Sequence, residues 1–193
     1  MKAKRGDMSQ FEVKNIYGLA ISDEHGCYYR IFSDEASAKA AFLNEAASAS
    51  ELYREKFGTE PLIYDYLESS YRAISSDDYD SFFATKRDFH IYDGAEVRPF
   101  EYLELPVFNN TVYIVQFYWS FSSNNELYVF ASREQRAEKV YDFVNQFSPL
   151  EDEEECRNLK AEINIILDED TQNRFAIGDD MDQVLINTGT HIL

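Results

Sequence analysis

Few residues of this 193-residue chain have types and spacings suited to chemistry. His25 and Cys27 flank Gly26, and a thiol enzyme would need such a base and nucleophile to meet in one pocket. Their place in a turn instead predicts an ordinary turn residue and a buried thiol. Asp168, Asp170 and Gln172 match the first three ligand spacings of a calcium loop of the EF-hand kind, and Asp179 falls at its twelfth position. Asn173 stands where the sharp-turn glycine belongs, and an aspartate replaces the bidentate glutamate. Asp168, Asp170 and Asp179 are therefore the candidate metal ligands of a segment that otherwise reads as a solvated acidic turn. His90 and His191 read as structural or solvated imidazoles, and Arg5-Gly6-Asp7 is too short a string to imply adhesion. Phosphate-binding GxGxxG and GxxxxGK[ST] loops are absent, as are the GxSxG elbow, the HExxH zinc pair and the deaminase HxE with CxxC. No catalytic residue, cofactor or metal is expected.

Charge points elsewhere. Eighteen Lys and Arg stand against 36 Asp and Glu, a net of −18, so the summed field repels nucleic acid and anionic membrane and attracts basic surfaces. Residues 151–182 hold twelve acids and three basic residues, a net of −9 and half the excess. The expected partner-binding residues are Glu151, Asp152, Glu153, Glu154 and Glu155, then Asp168, Glu169 and Asp170, then Asp179, Asp180 and Asp182, joined by Asp77, Asp78 and Asp80. Carboxylates so clustered can stand where a nucleic acid presents phosphates. The expected partner is a basic protein, a nucleic-acid-binding effector or a nuclease, with no direct contact to nucleic acid or membrane. Acids on solvated faces and at helix starts also serve solubility alone.

Hydrophobic residues make up 45% of the chain and aromatics 16%, which is enough for a packed core. Cys27 and Cys156 lie far apart with no metal-type spacing, so free thiols in a reducing, cytoplasmic setting are expected. The basic N-terminus runs into Phe11-Glu-Val-Lys with no apolar core of a signal peptide, and no window nears 18 uninterrupted apolar residues. In size, acidity and lack of catalytic motifs the chain resembles the DNA-mimic inhibitors that phages and mobile elements use against restriction enzymes and CRISPR effectors. The resemblance is one of composition, with no alignable motif. It implies blockade of a basic nucleic-acid-binding surface. An immunity or antitoxin-type protein against a basic nuclease toxin is the alternative, and a metal-dependent or thiol enzyme the alternative of another class.

The elements that would position these groups read as an α+β fold. Asn15 to Ile21 and Cys27 to Phe32 predict strands around a polar turn, and Thr111 to Trp119 and Glu126 to Phe130 repeat the pattern. Each hairpin leads into a helix, with Ser33, Glu35, Ala38 and Phe42 spaced like Ser132, Glu134, Ala137 and Tyr141 once Ala131 is taken as an extra residue. Ser33 and Ser132 are the expected caps, with Gln135 reaching back. Ala38, Ala41, Phe42, Ala49, Leu52, Tyr53 and Phe57 form one apolar stripe, and Ala137, Val140, Tyr141, Val144 and Phe147 another. These are two ββα units on a shared or adjoining antiparallel sheet. Five segments follow: a basic tail at 1–10, the first unit at 11–60, an aromatic and mostly helical insertion at 61–108, the second unit at 109–148, and an acidic αββ segment at 149–193. Within the insertion, 62–74 predicts a helix after Pro61, Ser75 to Asp78 starts another, and 97–105 predicts an edge strand interrupted by Pro99. In the last segment, Ser148-Pro-Leu-Glu151 starts a helix that gives way near Glu162 to strand-like Ile163, Ile165 and Leu167, before two closing strands at 174–177 and 183–187.

Overall fold

The computed structural model describes residues 11–23, 26–65, 69–91, 95–119, 124–147, 153–168, 173–177 and 184–193. Its elements run β1 (Phe11–Asp23), β2 (Gly26–Phe32), α1 (Glu35–Phe57), β3 (Leu62–Asp65), β4 (Ser70–Ala73), α2 (Ser76–Ala84), β5 (Phe89–His90) and β6 (Glu96–Phe108). Then follow β7 (Thr111–Trp119), β8 (Asn124–Phe130), α3 (Arg133–Phe147), α4 (Glu153–Asp168), β9 (Asn173–Ile177) and β10 (Val184–Ile192). Eight strands form one curled antiparallel sheet, and β3 with β4 makes a separate hairpin. The fold is α+β, and among the described residues no helix is long and apolar enough to cross a membrane.

Both expected ββα units are present, and the sheet is built around them as two halves. In the first half the strand order is β2-β1-β6-β5, and in the second it is β8-β7-β10-β9. Asn109 and Asn110 join the halves with φ of 51° and 57°, the left-handed pair that a two-residue hairpin turn demands, and Phe108 pairs with Thr111 across it. The stretch from 61 to 108 supplies α2, β5 and β6, which hold the places that α4, β9 and β10 hold in the second half. The repeat is therefore longer than a ββα unit.

The helix caps fix the correspondence between the halves. Asp34, not Ser33, caps α1, its Oδ1 accepting from Ser37 N at 2.8 Å. Ser132 Oγ accepts from Gln135 N at 3.3 Å, and Gln135 Oε1 reaches back to accept from Ala131 N at 3.2 Å. Each cap stands two residues past its strand, Phe32 or Phe130, so no extra residue is needed at Ala131. The equivalents of Ala38 and Phe42 on α1 are then Arg136 and Val140 on α3, and all four are buried.

Strand alternation sorts the apolar residues into three cores. Tyr17, Leu19 and Ile21 of β1 pack with Phe42 of α1 and Phe82 and Phe83 of α2 on one outer side. Ile16 and Ala20, from the other face of β1, meet Ile114 and Leu127 between the halves. Val115 and Phe117 of β7 pack with Val140 of α3 and Ile163 and Leu167 of α4 on the opposite outer side. The result is helix, sheet, sheet, helix. The halves approach closely: a Cβ on Gly18 would lie 2.6 Å from Leu127 Cδ2, and one on Gly189 would collide with the Tyr29 hydroxyl.

Four expectations are corrected. The 62–74 stripe instead supplies the paired strands β3 and β4; among its described helical positions only Ile63 is buried, bridging to Ile91, while Tyr64 and Tyr71 form a cross-strand pair with ring centroids 5.1 Å apart. The 97–105 segment belongs to a 13-residue strand that pairs along β1. Proline is tolerated there because β5 covers only Glu96 and Val97, so the missing N–H of Pro99 falls beyond it. Helix α4 continues to Asp168, with Leu159, Ile163 and Leu167 facing the core at helical spacing and Ile165 72% exposed. Leu52 and Phe57 are exposed, and the inner stripe of α1 is instead Ala38, Phe42, Ala46 and Ser50.

Candidate functional site

The expected acidic residues meet different fates. Asp78 faces inward: Arg72 donates to both its oxygens at 2.8 and 2.5 Å, and Ser75 N and Oγ donate at 2.6 and 2.9 Å. The arginine hydrogen bonds, with those from Ser75, hold its carboxyl down at about 2 despite its burial. It pins the start of α2 and is corrected from a partner-facing residue to a structural one. Asp80 is exposed and pairs with Lys39 at 2.6 Å, and Asp77 is exposed beside it. Glu154 and Glu155 lie exposed on the first turn of α4, whose backbone also includes Glu153 and, at its other end, Asp168. Glu151, Asp152, Glu169, Asp170, Asp179, Asp180 and Asp182 lie outside the described residues, as does the helix start at Ser148.

Outward carboxylates also come from α3, where Glu134, Glu138 and Asp142 are exposed, and from Glu162 on α4. Between these helices runs a shallow groove lined by Arg133, Glu134, Ala137, Asn164, Ile165 and Leu167. Glu138 pairs across the two helices with Lys160 at 3.6 Å. On the opposite helix layer Glu35 pairs with Lys86 at 3.3 Å, Glu45 with Arg30 at 2.7 Å and Asp80 with Lys39, and Glu51 and Glu55 are exposed.

A second polar concentration lies where no motif predicts one, at one end of the space between the sheet halves. Ser22, Cys27, Glu96, Gln116, Asn125 and Asn187 are all buried there, on six different strands, three from each half. Asn187 Nδ2 donates to Gln116 Oε1 at 2.9 Å, to Cys27 O at 2.9 Å and toward Cys27 Sγ at 3.1 Å. Gln116 Nε2 donates to Asn125 Oδ1 at 2.8 Å and to Tyr28 O at 2.9 Å. Arg98 pairs with Asp88 at 2.8 Å and donates to Asn125 O at 3.2 Å. Side chains of each half thus satisfy edge carbonyls of the other: Asn187 and Gln116 those of β2, Arg98 and Tyr102 those of β8. Two atoms of the cluster have no hydrogen-bond partner, Glu96 Oε2 and Asn125 Nδ2.

Burial costs this cluster its charge. Desolvation, with the Asp88 carboxylate adding to it and Arg98 opposing, raises Glu96 to about 8. Desolvation also raises Asp88 in spite of Arg98, and it raises Tyr118, with Cys27 and Glu96 adding to it. The free thiol of Cys27 is pushed up by burial, which outweighs Arg174 and the Asn187 hydrogen bond, so it is a poor nucleophile. His25 lies outside the described residues, His90 is half-buried and lowered by desolvation, and His191 sits near the end of β10. Among the described residues no three His, Cys, Asp or Glu side chains gather as a metal site would require. The sequence signal for the cluster is faint: Gln116 interrupts the apolar and aromatic run from Val112 to Trp119, and Asn187 follows the short apolar run from Val184 to Ile186. Comparisons with protein-family models, with curated proteins and with solved structures return no match to this chain.

Proposed function

We propose that this chain is a protein-binding inhibitor that occupies the basic, nucleic-acid-binding surface of another protein, as a DNA-mimic anti-defence protein does. The observation that supports the reading is the outer face of α3 and α4. Exposed Glu134, Glu138 and Asp142 on α3 and Glu154, Glu155 and Glu162 on α4 share this face with Ile165, which is 72% exposed at the end of α4 on the rim of the groove between the helices. Carboxylates in such an array steer a basic partner and exclude acidic ones, while an exposed apolar residue beside them supplies an anchor. In sequence, the segments on either side of β9 add Glu169, Asp170, Asp179, Asp180 and Asp182 to the count of acids.

Competition tests the reading. A basic nucleic-acid-binding protein recovered from the host on this chain should release its DNA or RNA as the chain is added. Changing Glu154, Glu155 and Glu162 together to Gln should weaken that release about tenfold, and Ile165→Asp should weaken it further. If the partner keeps its nucleic acid at saturating amounts of the chain, the protein is not an inhibitor of this kind.

A further inference from the structure

We propose that the polar end of the space between the sheet halves binds a small organic amine carrying an acceptor oxygen beside its cationic nitrogen, with Glu96 as its counter-ion. This site is separate from the α3–α4 surface. The argument rests on two orphan atoms of opposite kind. Glu96 is 3% exposed and its Oε2 accepts no hydrogen bond; Asn125 is fully buried and its Nδ2 donates none. Native interiors rarely leave such atoms unsatisfied, because each costs about 1–3 kcal/mol. An ammonium group supplies the donor that Glu96 lacks, and an adjacent carbonyl or hydroxyl oxygen the acceptor that Asn125 lacks.

The neighbours favour a cation at this point. Asp88 and His90, before and on β5, Arg98 of β6, Ser22 of β1 and Tyr118 of β7 lie around Glu96, with Cys27 of β2 in register with Ser22. Arg98 is the cation closest at hand, and its guanidinium is already engaged by Asp88 and by the carbonyl of Asn125. Two carboxyls therefore share one positive charge, inside a chain of net charge −18 that concentrates cations around itself. Tyr118, in register with Asn125 and hydrogen-bonded to Ser22, which is itself in register with Glu96, links the strands that carry the two orphan atoms. The Asp88 and Arg98 side chains, 18% and 31% exposed, mark the side from which solvent reaches the cluster. Arrival of the ammonium exchanges a neutral carboxyl for an ion pair, so Glu96 gives up one proton to solvent.

The experiment follows the Glu96 side-chain carboxyl by carbon NMR at pH 7 while the wild-type chain is titrated with glycinamide or with ethylamine. Glycinamide should move the resonance to the carboxylate position, and should bind about tenfold more tightly than ethylamine, which lacks the acceptor oxygen. In Glu96→Gln, a neutral substitution of matched shape, glycinamide binding should fall by at least about tenfold. A resonance that does not move at saturating glycinamide overturns the proposal, and assigns the orphan atoms to a buried water. Unweakened binding by Glu96→Gln overturns it as well, and equal binding of the two amines overturns the part given to Asn125. The wild-type titration reads the outcome whether or not the variant folds.

Discussion

The two halves of the sheet share a strand order and a register but not a chemistry. Where β1 and β2 present Ala20, Ser22 and Cys27 to the space between the halves, β7 and β8 present Gln116, Tyr118 and Asn125. Glu96 and Arg98 on β6 correspond to Leu185 and Asn187 on β10, and Asp88 beside β5 corresponds to Arg174 on β9. The first half thus brings most of the titratable groups to the shared face and the second brings the amides. Yet two hydrogen bonds are related by the repeat: Arg98 reaches the carbonyl of Asn125, and Asn187 reaches that of Cys27, the equivalent residue. Backbone geometry keeps the reach, while the side chain that makes it varies. Once one half satisfies the other's edge, the two no longer need to match.

The sharpest break in the correspondence is Arg136, which is buried where α1 has Ala38. Its guanidinium donates to Gly189 O at 2.8 Å and to Leu167 O at 2.7 Å, and lies 5.4 Å from the Tyr113 ring centroid. It ties the last turn of α4 to β10, a link the first half does without. Arg136→Ala strands two carbonyls and leaves a void, so it should lower unfolding free energy by about 4 kcal/mol in a urea titration. Ala38→Gly, at the equivalent place, should cost only about 1 kcal/mol. Similar losses at both positions would mean that Arg136 acts only as packing.

The next effect separates Glu96 from Leu185. Because the folded state holds Glu96 at about 8, well above its ordinary 4.5, the native chain keeps a proton that the unfolded chain has lost between those values. The stability tied to this proton is full below about pH 4.5 and is lost as pH rises through about 8. Asp88, His90, Arg98, Cys27 and Tyr118 face the group and set how steep the loss is. Between pH 5 and 7.5 the wild type should lose roughly 3 kcal/mol more than Glu96→Gln, as read from denaturant midpoints. Parallel curves for the two proteins would show that Glu96 is ionised in the fold at neutral pH.

Much of this architecture is legible in the sequence, and the illegible parts have physical causes. The hairpins at 15–32 and 111–130 announce themselves through β-branched and aromatic residues around polar turns, because strand and turn preferences act over a few neighbours. The 62–74 segment misleads because Leu62, Ile63, Tyr66, Leu67, Tyr71 and Ile74 fit a helical period, while a cross-strand aromatic pair and a bridge to Ile91 decide for strands. The one-residue error in matching the halves came from two serines, where the cap that forms on α1 belongs to an aspartate. Asp77 and Asp78 are adjacent and identical in type, yet Asp78 is buried against Arg72 while Asp77 is exposed, and pattern does not separate them. The polar cluster is the least legible: Asn187 and Cys27 are 160 positions apart, and only the stacking of the halves brings them together.

The smallest effect contrasts the two caps. Ser132→Ala removes a neutral acceptor from the start of α3 and should cost about 1 kcal/mol at any pH between 3 and 8. Asp34 does the same work on α1 with a charge, and the hydrogen bond from Ser37 N holds its carboxyl below the usual aspartate value. Its contribution is present above the ordinary aspartate pKa and is lost as pH falls through the lowered one, since a protonated carboxyl is a weaker acceptor and no longer complements the helix dipole. Asp34→Ala should therefore be destabilised relative to wild type near neutrality and converge on it in acid, whereas Ser132→Ala keeps its deficit throughout. Denaturant midpoints of the three proteins across that range give the comparison. A constant deficit for Asp34→Ala would reduce Asp34 to a neutral cap, and the two halves would then start their helices in the same way.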